Sequence, residues 1–567
     1  MTKRNLGGTS HNVTVAHIAR SEGVEMSSQA TSAPTKSQVR EDFGGRWIFI
    51  LAAMGSAIGL GNIWRFPYIA YENGGGAFII PYLVALLSAG IPLLFFDYAL
   101  GHRFKGSPPL TFRRLHKRTE AVGWWHAMIC VVIGVYYAAI LAWSTMYIFF
   151  SATEAWGDDP NAFFFEEHLQ AAETPALNFD LVPGVFWPLL VIWVATLLIL
   201  AFGVRRGIGV ASAIGIPLLV LMFLVLVVIA LTLPGAFTGL DALFTPNWEA
   251  LLNPSVWIAA YGQIFFSLSV GFGIMITYAS YLKRRTNLTS SGMVVAFSNS
   301  GFEILAGIGV FATLGFMAQA AGVQIGEVVT SGIGLAFVAF PEIISQAPLG
   351  LGPVIGILFF GSLLLAGFTS MISILEVTFS AIKDKTGWSR NTVVWGVGTL
   401  LALVSLFGFG TTSGVYLLDT LDKFVNQFGI VAAAFVAVVV VAWLLRRLGR
   451  MVTHLNKVSS FRLGTIYKIL VAIVLPVVLG YMLISEFINL ITADEPYEGY
   501  PEWYVNTFGW GMALGLIVIA VILSLIPWPK NSALYTEHSS NEYPLDESDL
   551  PVGKHASAQE PEQEVTP

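Results

Sequence analysis

The sequence predicts an all-α polytopic membrane protein of about twelve transmembrane helices, with a 5+5 inverted repeat and breaks in helices 1 and 6. Three observations predict it: long apolar runs in a chain poor in charge, basic residues confined to alternate connections, and two glycine-rich interruptions placed five runs apart. The chain has 567 residues, 55% of them hydrophobic and 12% charged, with mean hydropathy +0.70. Soluble domains carry roughly 25% charged residues, so a soluble fold is excluded by the core it would need. Cys130 is the single cysteine, which excludes an intramolecular disulfide.

A bilayer core needs about 20 apolar residues per helix. Such runs fall near 47–71, 77–102, 121–150, 185–203, 208–233, 256–282, 291–320, 353–382, 391–408, 417–445, 464–490 and 506–528. Lys and Arg cluster in 102–118, 205–206, 283–285, 383–390 and 446–468, and are absent from 119–204, 207–282, 286–382 and 469–529. The basic clusters occupy the even-numbered connections, which places both termini in the cytoplasm. Arg65 and Lys423 are the exceptions. Segments 240–254 and 326–347 are read as short interfacial helices over an outer vestibule, with plain loops as the alternative. Residues 1–39 and 529–567 are polar, the second mostly acidic, and are read as disordered cytoplasmic tails. Between them lie a core over 40–490 and a last span with its preceding outer loop over 491–528.

Span one contains Ala57-Ile-Gly-Leu-Gly61 and span six Ser269-Val-Gly-Phe-Gly273. Both read small, branched, Gly, large, Gly. An odd separation makes the two copies run in opposite directions, the signature of an inverted repeat with paired broken helices. A small-xxx-small packing face is the alternative, but packing leaves the adjacent Asn62 and Ser267 unexplained. A broken helix frees N–H groups on one half, which suit a carboxylate, and C=O groups on the other, which suit a hard cation. Oxygen-bearing side chains lie at the same depth: Asn62, Ser267, Ser269, Asn299, Thr369 and Ser370. Asp97, Glu303 and Glu376 are intramembrane acids and so candidates for function. No span carries a paired His/Cys set or a His-Glu-x-x-His motif, which argues against a membrane metalloenzyme.

The matching text is Gly59-Leu-Gly-Asn-Ile-Trp-Arg-Phe-Pro-Tyr68, Glu72-Asn-Gly-Gly-Gly-Ala-Phe78, the run Trp257 to Gly273, and Ala366-Gly-Phe-Thr-Ser370. In these residues the chain resembles the neurotransmitter:sodium symporter family, its bacterial amino-acid branch typified by the leucine transporter. The resemblance covers roughly 40–490. It implies sodium-driven uptake by alternating access, with spans one to five and six to ten as the repeats.

The resemblance also implies two sodium sites. The first uses the Ala57 carbonyl, Asn62, Ser267, Asn299 and the substrate carboxylate. The second uses the carbonyls of Gly55, Ile58 and Ala366 with the hydroxyls of Thr369 and Ser370. The family pattern often has Thr at Ser267, where a hydroxyl remains. The substrate carboxylate would lie on the N–H groups of Leu60 and Gly61 near Tyr137. Its amino group would meet carbonyls around Ala57, Phe266 and Ser267, plus Ser269. Ile133, Phe266, Phe272, Ser370 and Ile374 would line the side-chain pocket. Amine-carrying relatives have Asp where this chain has Gly59, which implies a neutral, hydrophobic amino acid. Chloride-requiring relatives have a small hydroxyl at the position of Glu303, whose carboxylate here implies no chloride requirement and offers a proton carrier. An outer gate would pair Arg65 with Asp422 beside Gln263, over a lid of Tyr137 and Phe266. An inner gate would pair Arg40 with Asp384 near Tyr281, each as a weak surface ion pair.

The expected setting is the cytoplasmic membrane of a prokaryote, as monomer or homodimer, with the lipid bilayer and a small amino acid as partners and no nucleic acid. The rival readings are a proton-coupled carrier of the same architecture, a channel, and a membrane enzyme or sensor. Aromatic lids over one polar layer disfavour a channel, and the spans hold no nucleophile–base pair.

Overall fold

The computed structural model describes residues 40–536 except 284, 330, 331, 493–496 and 498. Of the tails expected over 1–39 and 529–567, residues 1–39 and 537–567 lie outside the described residues. Among the described residues the regular elements are helices, with two isolated bridges, Gly75 with Pro246 and Leu181 with Thr411.

Among the described residues ten helices are long and apolar enough to cross a bilayer: Gly76–Phe104, Glu120–Ser151, Pro183–Ala201, Val204–Thr232, Leu288–Ala321, Gly352–Thr386, Arg390–Phe409, Gly414–Leu444, Thr465–Thr492 and Glu502–Leu525. Arg46–Ala57 and Leu60–Glu72, bent by 58°, make an eleventh if counted together. The run expected over 256–282 holds two shorter helices, Pro254–Ser267 and Ile274–Ser280. Side chains cap several of these ends, because the first N–H groups of a helix lack internal partners. Asn287 accepts from Ser290 N at 3.1 Å, Ser389 from Thr392 N at 3.2 Å and Asn253 from Ser255 N at 3.0 Å.

The Glu120–Ser151 and Gly352–Thr386 helices are the most enclosed of the long ones, and the last two the least. Of the broken elements, Arg46–Ala57, Leu60–Trp64 and Ile274–Ser280 pack against Gly352–Thr386. The connections expected as interfacial helices are helical at Ala236–Phe244, Trp248–Leu252, Ile325–Val328 and Gly332–Ser345. Aromatic rings fasten the last of these to its neighbours. Phe337 stacks on Phe164 at 5.1 Å, and Phe340 on Phe359 at 3.7 Å.

One expectation fails at the chain's far end. Residues 529–536, read as the start of a free tail, fold back: Ser532 and Ala533 are buried and Ala533–Thr536 forms a helical turn. Their polar composition hid this, since the burial is supplied by a groove made from distant residues.

Gly101 marks the closest backbone approach near the site. A Cβ there would lie 1.9 Å from the Ile276 carbonyl oxygen, in the second half of the broken sixth run. Overpacking of this kind costs about 1–3 kcal/mol. Gly101→Ala should therefore lower the melting point of the purified protein by several degrees. Gly396→Ala, with nothing within 4 Å, should leave it unchanged.

Candidate functional site

Two interruptions in helix geometry meet at the centre of the protein. In the first, Ile58 and Gly59 are extended, between Ala57 and a new helical start at Leu60. Asn62 Oδ1 accepts from the Gly59 N–H at 3.0 Å, so the residue just inside the new helix caps it. In the second, residues 268–273 leave the helix, with positive φ at Ser269 (51°), Gly271 (85°) and Gly273 (97°). Asp97 accepts from Gly271 N at 3.1 Å, and the Cys130 thiol donates to the Phe272 carbonyl at 3.3 Å.

The interruptions are tied to each other. Ser269 Oγ donates to the Ser56 carbonyl at 2.7 Å, and Ser370 Oγ sits 3.2 Å from the carbonyls of both Gly55 and Ser56. Thr369 Oγ1 lies 3.1 Å from the Leu365 and Ala366 carbonyls. Thr369 also packs against Gly55, where an added Cβ would be 3.1 Å from its Cβ. Of the residues expected at the second sodium site, Gly55, Ala366, Thr369 and Ser370 are thus gathered at one place, beside Ile58 in the break.

The first expected sodium set is joined by hydrogen bonds. Asn62 Nδ2 donates to Asn299 Oδ1 at 2.8 Å, and Asn299 Nδ2 to Ser267 Oγ at 3.1 Å. The set follows Ala57, the last residue before the break. All its donors are oxygens or amides, which fits a hard cation and not a soft one. Ser267 also faces Glu303. Glu303 accepts from Gln263 Nε2 at 2.6 Å and from the Tyr82 hydroxyl, which also lies 2.8 Å from Ser300 Oγ. Gln263 is thus bonded to Glu303 through its amide nitrogen.

Around Gly59 the space is closed. A Cβ would lie 3.1 Å from Ser370 Oγ and 3.4 Å from Tyr137 Oη. The Tyr137 hydroxyl faces the Leu60 backbone and Ser370. Phe266 presses its ring onto Gly61, and Arg65 lies 4.6 Å above that ring. Ile133, Phe272, Ser267, Ser269 and Ile374 are buried, whereas Tyr137 and Phe266 are half-buried. The expected pocket residues thus share one neighbourhood.

The two gates differ from expectation in opposite ways. Arg65 and Asp422 form no ion pair. Asp422 accepts from Tyr136 Oη at 2.6 Å and Asn426 Nδ2 at 2.8 Å, while Arg65 rests on Phe266. A neighbouring hydroxyl and amide already satisfy the carboxylate, and the aromatic face holds the guanidinium. On the other side Arg40 Nη1 meets Asp384 Oδ1 at 3.1 Å and Oδ2 at 3.2 Å. Arg40 Nε donates to Ser280 Oγ at 3.1 Å, and its guanidinium lies 5.0 Å over Tyr281. Ser107 N also donates to Asp384 at 2.8 Å. With Asp384 only 3% exposed, this is a buried pair and not the weak surface pair expected. Removing one partner of such a pair costs about 3–5 kcal/mol.

Beside this pair lies a network of which the sequence marks Glu376, as an intramembrane acid, but not Glu41, Lys383 or Arg390. Glu376 accepts from Tyr281 Oη at 2.6 Å and Arg390 Nη2 at 2.7 Å, and Glu41 accepts from Lys383 at 2.9 Å and Arg390 at 3.2 Å. The adjacency of Glu41 to Arg40, ahead of the first run, was the available signal.

A sequence profile of the sodium:neurotransmitter symporter family matches residues 40–179 and 157–531. Among curated proteins, an uncharacterized sodium-dependent transporter of Methanocaldococcus jannaschii is 41% identical over 487 residues, covering 86% of this chain and 97% of the relative. The sodium- and chloride-dependent taurine transporter of Rattus norvegicus is 30% identical, covering 89% and 87%. The sodium- and chloride-dependent GABA transporter 2 of Bos taurus is 29% identical, covering 84% and 85%.

Glu41 lies outside the membrane helices and gives a pH signature. Burial opposes its charge, yet Arg390 and Lys383 outweigh burial and hold its carboxyl at about 2, against an ordinary 4.5. A depressed carboxyl contributes stability that is complete above its unfolded pKa and lost as pH falls through its folded one. The melting-point gap between the parent protein and Glu41→Gln should be constant above pH 4.5 and shrink steadily toward pH 2.

Proposed function

The chain belongs to the sodium:neurotransmitter symporter family; it is a sodium-dependent transporter embedded in the membrane, not an enzyme, and from that premise we propose that it takes up a neutral, hydrophobic amino acid. Transport runs by alternating access, with two sodium ions carried in, no chloride required and Glu303 available to return a proton. The setting proposed is a prokaryotic cytoplasmic membrane with both termini inside, the helices forming a 5+5 inverted repeat.

The observation that carries this reading is the closed space at Gly59 between Ser370 and Tyr137. No acidic side chain stands there to meet an ammonium, so the substrate supplies its own carboxylate. The helix starting at Leu60 directs backbone N–H groups toward that carboxylate, and its dipole favours the negative charge. The amino end meets carbonyls at the close of the preceding helix and Ser269. A sodium ion among Ala57 O, Asn62, Ser267 and Asn299 touches the same carboxylate. Each ligand then raises the affinity of the other by the same factor. Relatives named for taurine and GABA carry molecules that likewise join an amine to an acid group.

Those relatives are named as chloride-dependent. Here Glu303, held by Tyr82 and Gln263 next to Ser267, supplies a fixed negative charge at the first sodium site instead. With Arg40 locked to Asp384 and Arg65 unpaired with Asp422, the arrangement is one with the inner side shut.

Two experiments test this. A thermal-shift screen of the purified protein against amino acids should give a rise only when Na⁺ replaces K⁺, since a ligand at about 100 times its Kd stabilises by about 2.7 kcal/mol. A rise of equal size in K⁺ rejects sodium coupling. In liposomes, uptake should be unaffected when gluconate replaces chloride, and Glu303→Gln should abolish proton counterflow. Unchanged counterflow in that variant removes Glu303 from proton return.

A further inference from the structure

Arg46 opens the Arg46–Ala57 helix and reaches across to the start of the Leu288–Ala321 helix. Its Nε donates to Ser291 Oγ at 2.9 Å and its Nη2 to Ser290 Oγ at 2.7 Å. Two adjacent hydroxyls thus meet one edge of the guanidinium, whose donors stand in a fixed fork. Ser291 is buried, and its Oγ donates to the Asn287 carbonyl at 2.6 Å, which leaves its lone pairs to accept from Arg46. Asn287 Oδ1 caps the same helix at Ser290 N, 3.1 Å away, and also accepts from Ser460 N at 3.3 Å. The receiving end is therefore ordered by its own bonds.

Helix stability does not account for this placement. Arg46 is the first residue of its own helix and faces the first turn of another, and both ends carry the positive pole of a helix dipole. Among the described residues its partners are the two hydroxyls and not a carboxylate. A basic residue that only marks the cytoplasmic flank of a span needs no partner, yet this one directs one whole edge at a single helix.

The far end of the half-helix is a joint. Ile58 and Gly59 are extended, so the 12 residues of Arg46–Ala57 can turn about them as a unit. Two attachments hold the near end. Arg40, in the segment ahead, holds Asp384 of the Gly352–Thr386 helix, and Arg46 holds the Leu288–Ala321 helix. Breaking the first frees the half-helix from one neighbour only. We propose that Arg46 is a positioning residue for transport, tying the first half-helix to the start of the Leu288–Ala321 helix so that the two move as one body when the Arg40–Asp384 pair opens. The proposal rests on the reading of Arg40 and Asp384 as the inner gate. The joint agrees with it. Ala57 ends the half-helix and Asn299 lies on the longer helix, and both belong to the first proposed sodium set, which a half-helix swinging alone pulls apart.

The test uses the full-length protein in nanodiscs, in a Cys130→Ala background, with pairs of spin labels read by double electron–electron resonance. One label sits on Trp47→Cys, an exposed position next to Arg46. The other sits on Gly301→Cys of the Leu288–Ala321 helix, where an added Cβ meets nothing within 4 Å, or on Trp388→Cys, exposed just past the Gly352–Thr386 helix. Arg40→Ala should lengthen the Trp47–Trp388 distance and leave the Trp47–Gly301 distance a single peak. Adding Arg46→Ala should raise a second, longer Trp47–Gly301 population about tenfold, the equivalent of one charge-assisted hydrogen bond. Ser290→Ala with Ser291→Ala keeps the charge and removes the acceptors; it should do the same, and it carries the test if Arg46→Ala does not insert. A Trp47–Gly301 distance that splits in Arg40→Ala with Arg46 intact overturns the tether and leaves the gate, as does one that stays single in every variant. A Trp47–Trp388 distance unchanged by Arg40→Ala overturns the gate reading and the tether with it.

Discussion

Peptide groups freed at bilayer depth have no water to turn to, and each costs several kcal/mol if left unpaired. This constraint organises the centre of the protein. The Gly59 N–H goes to Asn62, the Ser56 carbonyl to Ser269, the Gly271 N–H to Asp97 and the Phe272 carbonyl to Cys130. Only the first of these partners is local. Of the other three, Asp97 and Cys130 come from different helices and Ser269 from the opposite interruption, so neither interruption is satisfied until these elements pack. Fold and site are therefore one problem. The polar groups that a ligand would use are the ones that tertiary packing has to leave within reach.

That constraint also explains what could be read in advance. A bilayer imposes length and apolarity, so the runs were legible as runs, and their helices begin and end within a few residues of the apolar stretches. The interruptions were legible because Gly59, Gly61, Asn62 and Ser267 are residues that a lipid-facing helix has no use for. Asn62 and Asn299 stand 237 positions apart, and only the family resemblance placed them together before the structure joined them by a hydrogen bond. The partners of Asp97 and Arg46 were not legible, since pairing across the chain leaves no local pattern. Ser532 and Ala533 sit in a stretch whose composition says solvent, yet both are buried. The resting partners of the outer pair were hidden for a related reason. Complementary charge on Arg65 and Asp422 says nothing about whether Tyr136 or Phe266 lies nearer.

The contrast between the two ends of the site has an energetic meaning. Arg65 on Phe266 is a cation–π contact worth about 0.5–2 kcal/mol. Arg40 is held by both oxygens of a buried carboxylate, by Ser280 and by the Tyr281 face, and removing one partner of such a pair costs about 3–5 kcal/mol. Taken as the gates proposed above, the two contacts would bias the unliganded protein toward closure on the Arg40 side. A ligand reverses such a bias only by binding the other state better, and a swing from 1:99 to 99:1 requires about 5.5 kcal/mol of differential affinity.

Where that difference acts follows from how the Arg46–Ala57 helix is attached. At one end its carbonyls at Gly55 and Ser56 are held by Ser370 and Ser269. At the other, the segment leading into it is held by Asp384 through Arg40. Arg40 itself lies ahead of that 12-residue helix, across the non-helical residues 40–45 with Gly44 at φ 76°. On the gate reading proposed above, the attachment at Gly55 and Ser56 and the pairing of Arg40 with Asp384 would be linked through the helix and the short segment leading into it, a contiguous path of the kind that coupling between distant sites can use.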